Sequence, residues 1–435
     1  MSRGSAPLRI AHLADTHIGM ENYGRINPET GLNQRLHDFL NSLDQAIDGA
    51  IQASVDLVVV AGDIYKTRDP TPTHQREFAT RVHRLASAGI QTVIVAGNHD
   101  IPLSAGRATS VDIFRALEIR NVTVARAIGT HLVQTRVGPV QVLAFPWSVR
   151  SAVLAQPEFK NHSIAELNQA MIDLNRAKLR VEAEALDPDL PSIVVGHAHL
   201  FGARIGAERL LTMGKDPMYD LQTFDLPGVD FVALGHIHKQ QVMACGNPPV
   251  VYAGSIDRVD FGEQDEAKGW VYVEIADKTH VKWDFRPVKA RPFLTIEATV
   301  EGDNATEDVV RAIARQADRL ANAVVRVRIE VAPERAGELH EEDIRAQLKG
   351  AYYVAPFERT SRQRPPRGRW GAAGAAIQRA APLEALALYL EHQRVEPQRR
   401  ETLIRFARTL MTEEAEVCDA REVPRATLEE VAQSR

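Results

Sequence analysis

The chain has 435 residues, an ordinary apolar share of 44% and a formal net charge of −5. That length suits about two to three domains, and the mild negative balance excludes a wholesale basic surface for nucleic acid or anionic membrane, so any basic region must be local. The two cysteines, Cys245 and Cys418, stand far apart with no CxxC, which excludes a disulfide framework and a thiolate metal centre and fits a reducing cytosol.

Met1 to Leu8 carries no apolar signal core, and no apolar run approaches the roughly 18 residues that span a bilayer. A cytoplasmic protein is expected, with no membrane partner. Five short runs rich in Val and Ile follow: Leu8–Ala14, Asp56–Ala61, Gln91–Ala96, Pro191–Val195 and Asp230–Leu234. They are too short for helices and predict buried strands. Between the first two, Leu36, Phe39, Leu40, Leu43, Ile47 and Ile51 recur at helical spacing. Thr73 to Ala88 predicts a second helix ending at Gly89, a C-cap. Strands alternating with helices predict an α/β layered domain. A strand-rich stretch from 249 to 287, with Val271, Val273 and Ile275 alternating, closes it at residue 288.

Residues 289–354 predict a small β-α-β accessory domain. Leu294, Ile296, Ala298 and Val300 alternate with polar residues, as do Val325, Val327, Ile329 and Val331, and Val309, Ile313, Ala317 and Leu320 suit the helix between them. Residues 355–380 change character: Arg359, Arg362, Arg364, Arg367 and Arg369 cluster with Pro365, Pro366 and several glycines. This composition suits a flexible linker; the arginines either bind phosphates or are simply solvated. In the remaining segment, 381–435, Pro382–His392 and Pro397–Glu414 predict two helices, each with Pro in its first turn. Leu383, Leu386 and Leu390 line one, and Leu403, Ala407, Leu410 and Met411 the other. Two short helices cannot bury both apolar faces alone, so they are expected to dock, on each other, on a second copy or on a partner.

Each of the five strands ends in a polar cluster. In order these are Asp15-Thr16-His17, Gly62-Asp63, Gly97-Asn98-His99-Asp100, Gly196-His197-Ala198-His199 and Gly235-His236-Ile237-His238. Sites in α/β sheets form outside the carboxyl ends of strands, where all five clusters fall. A glycine precedes the polar residue in four of them, allowing a tight turn and close backbone approach. Carboxylate, amide and imidazole without thiolate suit Mn²⁺, Fe²⁺ or Zn²⁺ rather than Ca²⁺ or an iron–sulfur cluster. The donors outnumber what one open ion needs, and two ions about 3.5–4 Å apart sharing a carboxylate would use them all. His99, with Asp100 beside it to orient the ring, fits the proton donor that a leaving oxygen requires.

The series DxH, GD, GNHD, GH and GHxH resembles the calcineurin-like metallophosphoesterases, whose fold is a β-sandwich flanked by helices. The resemblance implies one ion held by Asp15, His17, Asp63 and His238, and another held by Asp63, Asn98, His197 and His236. It makes Asp63 the bridge and His99 the residue that handles the leaving group. His199 is a second candidate in its cluster, with a supporting or structural role as the alternative to ligation. The segments His17–Arg35 (HIGMENYGRINPETGLNQR) and Tyr252–Glu263 (YAGSIDRVDFGE) resemble the SbcD family of nuclease subunits, as does the order of nuclease core, accessory β-α-β domain, linker and helix pair. That family implies a two-Mn²⁺ 3′→5′ exonuclease and endonuclease acting on double-stranded DNA ends and hairpins. It also implies a homodimer within a heterotetramer, in which the terminal helices hold an SbcC-like ATPase; the chain itself has no GxxxxGK[ST]. Tyr23, Arg25 and Asn27 in the loop 19–33, together with Arg258, are candidate DNA contacts, though a plain surface loop suits 19–33 equally well. The alternative function is a calcineurin-like phosphodiesterase or phosphatase acting on small nucleotides or phosphoproteins without an ATPase.

Overall fold

The computed structural model describes residues 6–102, 107–150, 163–204, 216–244, 246, 248–278, 280–361, 386–387, 390–391 and 396–415. The five apolar runs divide between two sheets. One runs from edge to edge through β14 (His280–Pro287), β13 (Gly269–Asp277), β1 (Leu8–Leu13), β2 (Leu57–Ala61), β3 (Gln91–Val95) and β4 (Val122–Ala125). The other runs through β11 (Gln241–Ala244), β12 (Val250–Tyr252), β10 (Phe231–Gly235), β7 (Ser192–His197), β6 (Gly138–Phe145) and β5 (Gly129–Thr135). β1 to β4 are parallel neighbours, and so are β6, β7, β10 and β12. A short ladder of β8 (His199–Leu200) and β9 (Met218–Tyr219) lies outside both sheets.

Both faces of the central strands are covered, which is why they read as unbroken apolar runs rather than alternating ones. Ile10, Val59 and Val93 meet Val142, Ile193 and Ala233 in a core between the sheets. On the outer face of the first sheet, Ala11, Val58 and Ile94 pack with Phe39 and Leu43 of α1 (Gln34–Gln52) and Phe78 and Val82 of α2 (Pro72–Ser87), and with Phe114 of α3 (Asp112–Ala116). On the outer face of the second, Leu143, Val194 and Val232 pack with Ile172 and Leu179 of α4 (Ile164–Glu184). The result is a helix–sheet–sheet–helix sandwich, and each fully buried Val or Ile contributes about 1.5–3 kcal/mol relative to exposure. The helix starts are written locally. The Asn33 side chain caps α1, Thr71 caps α2 ahead of Pro72, and Ser163 with Glu166 forms a capping box on α4.

Beyond β14 a separate small sheet has its own core. β15 (Phe293–Thr299) and β16 (Val324–Val331) are parallel and joined through α5 (Ala305–Ala314). Leu294, Ile296, Val309, Ile313, Val325, Val327 and Ile329 fill its interior with Ile344 of α6 (Glu341–Ala346). The helix is shorter than the apolar spacing suggests, since Ala317–Arg319 form a separate 3₁₀ turn. β17 (Tyr353–Val354) and β18 (Glu358–Ser361) both pair with β16, so the sheet continues past residue 354 into the start of the Arg-rich stretch. Glu358 there receives the Arg328 guanidinium at 2.7 Å.

Residues up to Thr360 form one compact unit and Ser361–Arg435 another. In the second, α7 spans Pro397–Ala415. Of the expected helix at 382–392, only Leu386, Ala387, Leu390 and Glu391 are described, and all four are helical. Arg362, Arg364, Arg367 and Arg369 lie outside the described residues.

Candidate metal centre

Parallel neighbours end on the same side of a sheet, so the five polar clusters come together. Asp15 and His17 follow β1, Asp63 follows β2 and Asn98 follows β3 in one sheet; His197 ends β7, and His236 and His238 follow β10 in the other. Bare glycines let the two sheets touch at this end. A Cβ on Gly235 would stand 2.0 Å from the Ala61 carbonyl oxygen, and one on Gly62, whose φ is +85°, would stand 2.2 Å from His197 Nδ1.

The backbone at the site is bent out of its ordinary range. Asp15 (φ 49°), His17 (φ 40°), Asp63 (φ 50°) and His236 (φ 97°) all adopt positive φ, uncommon for residues with a Cβ. Each such residue stores about 1–3 kcal/mol. Cross-strand bonds hold them there. Asp15 N donates to Gly62 O at 3.1 Å and His17 N to Asp63 O at 3.0 Å, while His236 N donates to the Asp15 carboxylate at 3.0 and 3.1 Å.

Two groups of donors converge. Ligand atoms of Asp15, His17 and His238 lie within 4.8 Å of one another, as do those of Asp15, Asp63 and His197. His17 Nε2 and His238 Nε2 are 2.9 Å apart. Asn98 Oδ1 lies 3.0 Å from His197 Nε2 and 3.0 Å from His236 Nδ1, and Asp63 Oδ1 lies 3.5 Å from His197 Nε2. Backbone and carboxylate partners set the tautomers: His197 Nδ1 donates to Ala61 O at 2.9 Å, and His238 Nδ1 to Glu263 Oε1 at 2.8 Å. That aims the Nε2 of each ring inward. Donor atoms about 3 Å apart match neighbouring ligands on a divalent ion with bonds near 2.1 Å, so the residues present fit a pair of such ions.

The electrostatics favour a cation. Burial, then the neighbouring imidazoles, holds His17 and His236 well below the usual imidazole range, leaving the neutral rings a metal requires. Burial pushes the Asp15 carboxyl up to about 7. Asp63 is buried too, yet the facing His197 keeps it well below the usual carboxylate range. Burial opposes charge on His197, but Asp63 and Asp15 carry its pKa up to about 9. The corner between His197, Asp63 and Asn98 therefore attracts positive charge, and a proton and a divalent ion compete for it.

His99 stands beside this group, partly open to solvent. Its N–H donates to Asp63 Oδ1 at 2.8 Å, its Nδ1 lies 2.8 Å from the Lys66 carbonyl and its Nε2 lies 4.0 Å from Asp63 Oδ2. Burial lowers its pKa. Asp100 does not orient this ring, contrary to what its position in sequence suggests. Its buried carboxylate accepts from the backbone N–H of Gly97 at 2.9 Å and of Ile64 and Tyr65 at 3.1 Å. A short side chain one residue on serves the turn it belongs to, and the Lys66 carbonyl holds His99 instead. Asp100 thus ties the loop after β2, which carries Asp63, to the loop after β3, which carries Asn98.

His199 is buried with its ring 5.5 Å from that of His236, packed against a ligand candidate. The proposed DNA contacts sit differently from one another. Tyr23 is wedged among Phe261, Phe293 and Tyr353, with ring centroids 5.2, 5.8 and 6.0 Å away, joining the loop after β1 to the small sheet. Arg25 is exposed and its N–H donates to the Tyr352 hydroxyl at 3.2 Å. Asn27 closes its own turn, accepting from Glu29 N and donating to Gln34 Oε1. The Arg258 guanidinium is engaged by the carbonyls of Glu266, Arg291 and Ala290 at 2.8, 3.1 and 3.4 Å. Sequence reasoning missed Trp147, stacked on His236 at 5.0 Å, as well as Glu263 and Lys268. Only Glu263 had a signal, as the last residue of the Tyr252–Glu263 segment.

The family model for calcineurin-like phosphoesterases matches residues 8–240, more than half of the chain, and the chain belongs to that family. It is a phosphoesterase hydrolase with candidate groups for binding divalent metal. The D subunit of nuclease SbcCD from Staphylococcus epidermidis is 26% identical over 306 residues, covering 70% of this chain and 74% of that protein. The protein of the same name from Escherichia coli K12 is 27% identical over 313 residues, 69% of this chain and 72% of that one. DNA double-strand break repair protein Mre11 of Archaeoglobus fulgidus is 24% identical over 259 residues, 59% and 52% of the two chains. No helix among the described residues is long and apolar enough to cross a membrane.

Proposed function

We propose that this chain is a DNA nuclease subunit of the SbcD kind, cutting phosphodiesters at double-stranded ends and hairpins with two Mn²⁺ ions. One observation carries the step from phosphoesterase to nuclease. The likeness to the D subunits of two SbcCD nucleases extends over 306 and 313 residues, well past the stretch 8–240 shared by the wider family. In this reading Asp15, His17, Asp63 and His238 would hold one ion, and Asp63, Asn98, His197 and His236 the other. Two such ions supply Lewis acidity to a phosphate and lower the pKa of water toward neutrality.

The chain's own residues supply the rest. Ala61 O and Glu263 fix the His197 and His238 rings so that Nε2 of each faces inward. Lys66 O takes the Nδ1–H of His99, so Nε2 is the atom that faces the leaving oxygen; in the imidazolium form it gives up its proton there and returns to the neutral ring protonated at Nδ1. The helices from residue 381 onward engage an SbcC-like ATPase, and two such chains pair within a heterotetramer. Labelled linear duplex and a simple aryl phosphate monoester, each with the full-length protein in Mn²⁺, test the substrate class. The duplex is expected to be degraded from its 3′ ends while the monoester turns over slowly. A preference for the monoester would overturn the nuclease reading.

A further inference from the structure

The carboxylate behind His238 belongs to a buried polar assembly that lies outside the proposed ligand set. Glu263 is 0% exposed and Lys268 2%. Glu263 Oε1 accepts from His238 Nδ1 at 2.8 Å, and Oε2 faces Lys268 Nζ at 2.8 Å and Val259 N at 3.0 Å. The same ammonium donates to the His238 carbonyl at 3.0 Å, to Ser255 Oγ at 2.9 Å and to Glu266 Oε2 at 2.9 Å. Lys268 therefore grips His238 twice, through its backbone and through Glu263. Burying two opposite charges is expensive unless every donor and acceptor is matched, and here they are. An apolar filler would have packed this space with no such penalty.

We propose that Glu263, locked by Lys268, is the positioning residue that sets metal affinity at the His17–His238 side of the centre. An ionised carboxylate on Nδ1–H fixes the tautomer with Nε2 bare, holds the ring's angle and strengthens Nε2 as a ligand. Nε2 is the atom that meets His17 Nε2 at 2.9 Å. By contrast, His197 on the other side donates its Nδ1–H to the neutral Ala61 carbonyl. The two ions thus face imidazoles of unequal donor strength, and the one beside His17 and His238 binds more tightly. The inference rests on reading these residues as metal ligands, not on the substrate being DNA.

The test is a titration of metal-stripped, full-length protein with Mn²⁺, followed by calorimetry and electron paramagnetic resonance. Wild type is expected to take up two ions with distinct affinities. Glu263→Gln keeps the shape but removes the charge, and is expected to weaken the tighter event about 10–100-fold while leaving the weaker one within twofold. Because Glu263→Gln takes one of two carboxylate partners from a buried ammonium, the double change Glu263→Gln with Lys268→Met is the control for folding, and the same selective loss is expected from it. A soluble, folded double variant that binds both ions as wild type does would overturn the proposal. Equal weakening of both events would also overturn it, since that marks a general structural tie. Wild type taking up no second ion would instead remove the two-ion reading itself, and this inference with it.

Discussion

His197 Nδ1 lies 2.9 Å from the carbonyl oxygen of Ala61, the last residue of a strand in the opposite sheet. This bond aims a ligand candidate and pins the two sheets together where their strand ends meet. It exists because Gly62 has no Cβ: one there would stand 2.2 Å from the same nitrogen. Gly62→Ala should therefore rotate His197 away and strain a residue whose φ is +85°. We expect a loss of about 2–4 kcal/mol in stability and loss of one bound ion. Urea unfolding and metal analysis measure the two effects separately.

His99→Ala should abolish phosphodiester cleavage while metal content stays at the wild-type level. The ring touches the centre only at a distance, with Nε2 4.0 Å from Asp63 Oδ2. Loss of a general acid lowers rate by about 10²–10⁴-fold. Single-turnover rates on labelled duplex, with metal counted in the same sample, check it; substantial surviving cleavage would reassign the proton donor.

Stripping divalent ions with a chelator should lower the unfolding temperature as well as stop turnover. Without a cation the buried Asp15 and Asp63 carboxylates oppose each other, as do the His17 and His238 rings, and any ligand bound only by the folded state stabilises it by mass action. At a free metal concentration 100 times Kd this is about 2.7 kcal/mol. Thermal scans with and without chelator, then with Mn²⁺ restored, measure it; an unchanged midpoint would argue that metal binds too weakly to matter.

Tyr23→Ala should cost about 2–3 kcal/mol, because its ring fills the junction with Phe261, Phe293 and Tyr353. Tyr23→Phe should be nearly neutral. If instead Tyr23→Ala leaves stability intact and weakens duplex binding, the residue is a DNA contact. Chemical denaturation and binding isotherms on both variants distinguish the two.

Deleting residues 381–435 should abolish association with an SbcC-like ATPase while leaving Mn²⁺ uptake unchanged, because every ligand candidate lies in the unit that ends at Thr360. Co-purification and metal analysis of the shortened chain check this, and retained association would assign the helices another role.

The candidate centre was legible in the sequence because its strands are covered on both faces, so each reads as a Val/Ile run with its polar residues placed just beyond. What the runs could not say was which sheet each belongs to: Val59 and Val195 look alike in sequence yet come from opposite layers of the same core. The β5–β6 hairpin escaped because Thr130, His131 and Gln134 break its pattern at a sheet edge. Helix α4 escaped because its buried positions, from Leu167 to Ala183, are interrupted by Asn175 and flanked by exposed Leu174 and Val181. Side-chain partners were harder still. The neighbour in sequence suggested Asp100 for His99, but the turn's own amides claimed that carboxylate. Arg258 offers a cation in the sequence, and only the folded chain reveals the carbonyls around it.

The positive-φ residues of the centre set adaptation for durability against adaptation for chemistry. Asp15, His17, Asp63 and His236 occupy backbone conformations that glycine takes without strain. A population of variants screened only for survival at high temperature with divalent metal withheld would be drawn toward glycine at His17 and His236, since the Asp15 and Asp63 carboxylates accept backbone N–H groups, each step recovering about 1 kcal/mol or more while removing a ligand candidate. Heat resistance in such a screen would therefore be a poor proxy for a working enzyme, and metal uptake would need to be selected alongside it.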